Sequence, residues 1–264
     1  MIAALAAAAV LAGWTQVGAG PDGGTVWSGR LPGDAQASTI YLPPGYAHAR
    51  REPVLYLLHG LPGSPDEYWH SLQLAQRLDD LIASGAPPFV VVTPGGPLDG
   101  EWAGPSERDL VRDVVPWVDA HLSTIRSPRG RVLEGLSAGG YGAVDIGLRH
   151  PGVFGALGAW DGYFTPFRDG PLAGATHAEL RAHDPVVLAR REAATLRSDG
   201  TRFYVSAGGN HGDIRTSGST AFARELTQLR VSHELWLLPP ADVGHFWTAT
   251  VPTALQFALT AFRT

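Results

Sequence analysis

The chain of 264 residues contains no cysteine, and this absence excludes several kinds of chemistry at once. Disulfide bonds, thiol nucleophiles, iron–sulfur clusters and cysteine-based zinc sites are all ruled out. The absence does not fix the cellular compartment, because cytosolic and exported proteins can both lack cysteine. If the protein is a covalent catalyst, its nucleophile is therefore not a thiol.

The sequence also lacks an excess of positive charge. Its formal net charge is -5, and its lysines and arginines are scattered along the chain. This distribution gives no electrostatic reason to expect nucleic acid or anionic lipid as a partner. With 44% hydrophobic and 17% charged residues, the composition is that of an ordinary globular protein, and the length is compatible with one large domain.

No lysine or arginine precedes Arg30, although Ile2 to Trp14 is almost wholly apolar. A signal peptide should begin with a positive region, and a membrane-spanning helix needs about 20 apolar residues, so the segment fits neither fully. We interpret it as the remnant of a signal sequence or of an upstream membrane helix. The alternative is a short helix packed on the domain. Gly18 to Gly24 indicates a flexible linker.

This interpretation divides the chain into an N-terminal segment with its linker, residues 1–24, and a catalytic domain, residues 25–264. It predicts a secreted or extracytoplasmic protein with a membrane tether through an upstream segment. The oligomeric state is left open.

From residue 25 onward, apolar runs bounded by glycine or proline alternate with longer amphipathic runs. This alternation predicts an α/β protein with a mostly parallel, eight-stranded sheet and helices on both faces. The predicted strands are Thr25–Leu31, Ser38–Leu42, Val54–Leu58, Phe89–Thr93, Arg131–Leu133, Ala156–Trp160, Arg202–Ser206 and His233–Leu238. The predicted helices are Ser71–Ser84, Glu107–Leu122 with a kink at Pro116, Ala138–Arg149, Pro185–Leu196, Ser219–Arg230 and Thr248–Phe262.

One short motif points to chemistry. Gly135 to Gly140 reads Gly-Leu-Ser-Ala-Gly-Gly between a predicted strand and a predicted helix. A Gly-x-Ser-x-Gly sequence places its serine on a strained strand-to-helix turn, where the hydroxyl is accessible and the next amide can receive an oxyanion. Ser137 is therefore the candidate nucleophile, and Ala138 the candidate for the first oxyanion amide. The motif is weak alone, because the chain holds 33 glycines.

A serine nucleophile needs a histidine base and a carboxylate that orients it. His245 follows the last predicted strand and precedes the last helix, where this base belongs, and Asp213 follows the strand before it. Asp242 and Asp161 remain alternatives for the acid. His211 could form a metal pair with Asp213, but no third ligand occurs at a recognisable spacing, so we expect no metal.

The second oxyanion amide should come from the loop after the third strand, where Leu61 is the candidate and His59 is expected to support the loop. The long segment Asp161 to Asp184 has the composition of a lid or a binding wall. Aromatic residues near this edge are predicted to line a substrate pocket, with core packing as the alternative for each. They are Trp69, Trp102, Trp160, Tyr163 and Phe164, together with Phe167.

Four motifs in order carry a family resemblance: Tyr-Leu-Pro-Pro-Gly-Tyr at 41–46, Leu-Tyr-Leu-Leu-His-Gly at 55–60, the serine motif at 135–140, and Gly-His-Phe-Trp at 244–247. Over roughly residues 25 to 262, the chain resembles the esterase D-like group of α/β-hydrolases. That group includes feruloyl and acetyl xylan esterases, enterochelin esterases and the mycolyltransferases of the antigen 85 complex. The resemblance implies an α/β-hydrolase fold, with Ser137, His245 and Asp213 as nucleophile, base and acid.

The sequence thus predicts a serine carboxylic-ester hydrolase that forms an acyl-enzyme on Ser137 and needs no metal or organic cofactor. Its expected substrate is a small-molecule or cell-envelope ester. Two alternatives remain: an acyltransferase that moves the acyl group to a sugar or lipid hydroxyl, and a non-catalytic envelope binding protein that keeps the fold.

Overall fold

A computed structural model describes residues 11–46, 50–98, 100–208, 213–239 and 243–262 of the chain. Its centre is a nine-stranded sheet with the strand order β1-β2-β3-β5-β4-β6-β7-β8-β9. The pairs β1-β2, β2-β3 and β3-β5 are antiparallel. The pairs β5-β4, β4-β6, β6-β7, β7-β8 and β8-β9 are parallel. The strands are β1 (Thr15–Ala19), β2 (Thr25–Gly29), β3 (Ser38–Leu42), β4 (Val54–Leu58), β5 (Val90–Thr93), β6 (Arg131–Leu136), β7 (Ala156–Trp160), β8 (Arg202–Gly208) and β9 (His233–Leu238).

The central strands are continuous apolar runs because both faces of the sheet are covered. All five residues of β4, for example, are buried. Parallel strands between two helical layers have this pattern, whereas a strand with one face in water alternates apolar and polar residues. The predicted α/β class and mostly parallel sheet are confirmed.

Helices lie on both sides of this sheet. They are α1 (Leu74–Ala83), α2 (Pro105–Asp109), α3 (Val115–His121), α4 (Ala138–Arg149), α5 (His177–Ala182), α6 (Pro185–Asp199), α7 (Ile214–Gln228) and α8 (Val243–Ala261). One apolar cluster joins α1 and α8 to one face of the sheet, and a second cluster joins α3, α4, α6 and α7 to the other face. A π-helical turn at Leu110–Val114 separates α2 from α3 just before Pro116, where the sequence predicts a kink.

The sheet begins earlier than the sequence predicts, and this adds the ninth strand. Residues Thr15–Ala19, assigned above to the segment before the domain, form β1 and pair with β2. Leu11 is 1% exposed within the core, and the ring of Trp14 stacks on Trp117 at 5.7 Å. The prediction of a flexible linker before residue 25 is therefore wrong where it overlaps β1. Residues 1–10 lie outside the described part of the chain.

No helix within the described ranges combines the length and the apolar character that crossing a membrane requires.

Candidate active site

Ser137 lies on a sharp turn between the last residue of β6 and the first residue of α4. Its backbone has φ 53° and ψ -115°, a left-handed conformation that costs free energy for a residue other than glycine. The turn is held by its own backbone: the Ser137 amide donates to the Trp160 carbonyl at 2.8 Å, and its carbonyl accepts from Gly140 at 2.9 Å. The serine is partly exposed, as a nucleophile elbow requires.

Two glycines of the motif are required by close backbone approach. A Cβ atom at Gly139 would stand 1.9 Å from the carbonyl oxygen of Leu58, and one at Gly135 would stand 2.3 Å from the carbonyl oxygen of Gly139. Any side chain at these positions would push the elbow away from β4. The motif is thus explained by the packing of β4, β6 and α4 around Ser137.

The loop after β4 passes next to the elbow. A Cβ atom at Gly60 would be 3.5 Å from Cβ of Ser137, and Leu61 and Ala138 line the same cavity as Ser137. Neither the Leu61 amide nor the Ala138 amide donates a hydrogen bond to another group among the described residues. Two such amides beside a serine hydroxyl are what an oxyanion hole needs, and the N-terminus of α4 adds its dipole.

His59 supports this loop, as the sequence predicts. It is fully buried, and its ring nitrogens lie 2.7 Å from the carbonyl oxygen of Gly60 and 3.0 Å from that of Gly95. The ring therefore ties the loop after β4 to the loop after β5.

Ser137 lines a cavity of about 600 Å³. Three of its lining residues are charged and were not anticipated from the sequence: Glu101, Asp169 and Arg215. Glu101 and Asp169 stand in loops after β5 and β7, at the edge where the active site was expected, but no motif marks them. The remaining lining residues are Leu61, Pro62, Leu98, Gly100, Ala138, Tyr163, Phe167 and Gly170.

Of the five aromatic residues predicted to bind substrate, Tyr163 lines this cavity. Trp160 is fully buried among the residues between the sheet, α1 and α8, and Phe164 stacks on Phe222 at 4.3 Å in the opposite core. These two are core residues, as the alternative reading allowed.

The other two predicted aromatic residues also point elsewhere. Trp102 is 1% exposed, and its indole donates to the His59 carbonyl at 3.0 Å. Trp69 lines a separate groove beside β1 and β2, and its indole donates to the hydroxyls of Thr39 and Thr93. Phe167, considered with these residues, does line the Ser137 cavity.

Residues 209–212 and 240–242, which include His211 and Asp242 and come shortly before the candidate acid and base in the chain, lie outside the described residues. His245 is exposed in the first turn of α8 and lines a different cavity, of about 700 Å³, with Ser71 and Trp247. Asp213 caps α7, since its carboxylate accepts from the Arg215 amide at 2.9 Å. The catalytic roles of His245 and Asp213 stay predictions.

Asp161 is the buried alternative to Asp213. It directly follows β7 with φ 53°, is 3% exposed, and its Oδ2 lies 3.7 Å from Nε of Arg215. Burial raises its pKa, while Arg215, the Gly208 amide and the Trp247 indole oppose that rise. Among the described residues, no group of three or more His, Asp or Glu side chains could hold a metal ion.

A buried carboxyl lies three residues before the nucleophile. Glu134 in β6 is fully buried, and its Oε2 accepts from the Trp160 indole at 2.6 Å. Burial raises its pKa to about 8, because the carboxylate is poorly solvated there, although the indole opposes the shift. The group is therefore neutral at pH 7 beneath the elbow.

This shift predicts a loss of stability as the pH rises. The pKa of Glu134 is higher in the folded protein than in the unfolded chain. Its contribution to the free energy of unfolding is therefore complete below about pH 4.5 and is lost as the pH rises to about 8. At about 1.4 kcal/mol per pKa unit, the contribution is on the order of a few kcal/mol. Glu134→Gln should flatten this part of the pH profile, measured by urea denaturation at pH 5.5 and pH 8.5.

The control for Glu134 is Glu192→Gln, which removes a partly buried carboxylate of α6 from an ion pair with Arg191. In that variant, the free energy of unfolding should change with pH as it does in the wild type. If Glu134→Gln also keeps this pH dependence, the carboxyl is not neutral in the folded protein.

The parallel sheet between helices and the serine at the strand-to-helix turn define an α/β-hydrolase-fold protein with a nucleophile elbow. More specifically, the chain belongs to the esterase family that is described as "Putative esterase", whose sequence model matches residues 28–242. This membership confirms the predicted resemblance to esterases of the α/β-hydrolase fold.

Individual proteins show the same similarity. The chain is 32% identical over 152 residues to an endo-1,4-beta-xylanase/feruloyl esterase of Xylanibacter ruminicola, which covers 52% of this chain and 21% of that protein. The chain spans about a fifth to a third of the length of the curated relatives it matches.

Two solved structures share the fold. A ferulic acid esterase superposes with a TM-score of 0.75 at 21% identity, covering 90% of this chain and 98% of that one. The fluorophosphonate-binding serine hydrolase F of Staphylococcus aureus superposes with a TM-score of 0.73 at 17% identity, covering 91% and 99%. At these identities the similarity supports the fold.

Proposed function

We propose that the protein is a serine carboxylic-ester hydrolase that works through an acyl-enzyme on Ser137. The observation that carries the proposal is the position of Ser137. The residue occupies a strained elbow between β6 and α4 and lines a cavity that is large enough for a small ester. Membership of the esterase family supports the same conclusion.

The reaction begins when His245 takes the proton of the Ser137 hydroxyl and the oxygen attacks the ester carbonyl carbon. The amides of Leu61 and Ala138 stabilise the negative charge on the carbonyl oxygen. The carbon–oxygen bond to the alcohol then breaks, and the alcohol leaves with the proton from His245. Water, deprotonated by His245, then attacks the acyl carbon, the bond to Ser137 Oγ breaks as His245 returns the proton to that oxygen, and the acid and free Ser137 result.

Asp213 is the proposed acid that orients His245. It follows β8, the strand before the one that leads to the histidine, which is the topological position of the acid in this fold. Its carboxylate already stands at the N-terminus of α7, where a backbone amide holds it. Asp161, one strand earlier, is paired with Arg215 instead.

A fluorophosphonate probe tests the nucleophile directly, because it phosphonylates an activated serine. We expect one label, which peptide mass spectrometry assigns to Ser137, together with hydrolysis of p-nitrophenyl acetate or butyrate. Hydrolysis gives only free acid when a polyol is present, whereas acyl transfer would give the polyol ester. A protein that takes no label and cleaves no ester would contradict the proposal and would favour a binding role.

A further inference from the structure

The wall of the Ser137 cavity carries two carboxylates from different segments. Glu101 belongs to the loop after β5, and Asp169 belongs to the loop after β7. Glu101 is 5% exposed, and its Oε2 accepts from the Tyr163 hydroxyl. Asp169 is exposed and stands beside it, so the pair faces the space that a bound ester would fill.

Glu101 is held firmly in this position by its neighbour Trp102. The Trp102 indole donates to the His59 carbonyl, and its ring fills the space that a Cβ atom at Gly96 would enter, at 2.1 Å. On the other side, a Cβ atom at Gly142 of α4 would come within 2.5 Å of Cβ of Trp102. The carboxyl is therefore preorganised, which is the condition for a side chain that selects between substrates.

The balance of charge on the wall is negative. Burial raises the pKa of Glu101 to about 7, the Tyr163 hydroxyl opposes the rise and the Asp169 carboxylate adds to it, so the Glu101 carboxyl is mostly ionised at pH 8. Arg215 is the cation among the described lining residues, but its Nε lies 3.7 Å from the buried carboxylate of Asp161. The hydroxyl of Tyr163 stays neutral, because burial raises its pKa.

Aromatic rings complete the same wall. The rings of Tyr163 and Phe167 meet edge to face at 4.8 Å, and Phe167 is 39% exposed. An aromatic face next to a carboxylate is the combination that recognises an ammonium group, through cation–π and Coulomb attraction together. A substrate carboxylate at this place would be repelled.

We propose that Glu101 is a specificity-determining residue of the Ser137 cavity. Through it, the cavity prefers esters that carry an ammonium group to neutral esters of the same shape. It prefers neutral esters, in turn, to esters that carry a carboxylate. The proposal deepens the proposed function and rests on it.

The test compares two acetate esters that differ in one charge. Acetylcholine and 3,3-dimethylbutyl acetate have the same shape, with a cationic nitrogen in one and a carbon in the other, and 4-acetoxybutyrate supplies the anionic case. We expect the ratio of kcat/KM for acetylcholine to that for the neutral ester to exceed about fivefold at pH 8. The ratio should fall towards pH 6 as Glu101 is protonated. Because both esters use the same nucleophile and base, the titration of the catalytic groups cancels in the ratio.

Glu101→Gln should lower this ratio by about fivefold at pH 8 and remove its dependence on pH. Asp169→Asn, at an exposed position, should lower it in the same direction, which keeps the test valid if the Glu101 variant does not fold. Glu192→Gln on α6 loses the same charge outside the cavity and should keep the wild-type ratio. An unchanged ratio in both cavity variants, or a preference for 4-acetoxybutyrate in the wild type, would overturn the proposal.

A failure of the proposed function gives a different result. In that case the protein cleaves neither ester and takes no fluorophosphonate label, and calorimetric titration with choline then decides the role of Glu101. Weaker choline binding by Glu101→Gln than by the wild type supports the proposal, and equal binding or none contradicts it.

Discussion

Ser137→Ala is expected to lower kcat for p-nitrophenyl esters by about 10⁴-fold or more and to abolish labelling by a fluorophosphonate. The reason is that the hydroxyl oxygen forms the covalent bond to the acyl group, and no other side chain of the motif can replace it. The fold should be retained, because the Ser137 hydroxyl makes no hydrogen bond to another described residue and alanine removes only that oxygen. Steady-state kinetics and thermal unfolding measure the two effects separately.

Ser198→Ala is the matched control, since Ser198 is exposed near the end of α6 and its hydroxyl donates to the Thr195 carbonyl. It should keep wild-type turnover and labelling. If Ser137→Ala retained more than about a tenth of wild-type kcat, Ser137 would not be the nucleophile, whatever the strain at the elbow indicates.

Asp213→Asn is expected to lower kcat by about 10⁴-fold, because a neutral amide neither fixes the tautomer of His245 nor stabilises its protonated form. Asparagine caps a helix about as well as aspartate, so the carboxamide oxygen can still accept from the Arg215 amide. The free energy of unfolding should therefore change little. Kinetics measure the effect of the lost charge, and urea denaturation of the same preparation shows whether the helix cap is retained.

Asp161→Asn decides between the two acids. It removes the partner of Arg215 and should lower kcat by less than about tenfold, because Asp161 follows the wrong strand for the acid. A loss on Asp161→Asn larger than that on Asp213→Asn would transfer the role to Asp161. Small losses in both variants would leave Asp242, which lies outside the described residues, as the remaining alternative.

The sequence predicted the elements whose signal is local. The strand β4 is a run of five apolar residues, and the serine motif needs glycine at 135 and 139 because the backbone of β4 and α4 leaves no room there. The strand β1 was missed for the opposite reason. Its residues Thr15–Ala19 are mostly exposed and include a glycine, so no apolar pattern marks them, and the strand exists through pairing with β2.

The wall of the Ser137 cavity was the least predictable part of the site. An aromatic side chain at the end of a strand can face the core or the cavity, and the sequence does not show which: Trp160 faces the core, where its indole meets Glu134, while Tyr163 faces the cavity. Glu101 and Asp169 come from loops that are distant in the chain and adjacent in space. No periodicity or motif links such a pair.

The sequence by itself determined the fold class and the family and marked Ser137 as the candidate nucleophile, because each of these rests on short motifs whose backbone conformation is set by near neighbours. Only the tertiary structure decided the extra strand, the buried neutral carboxyl beneath the elbow and the charge of the cavity wall. Those properties depend on burial and on contacts between distant segments, and burial is what moves the pKa of Glu134 and Glu101 to about 8 and about 7.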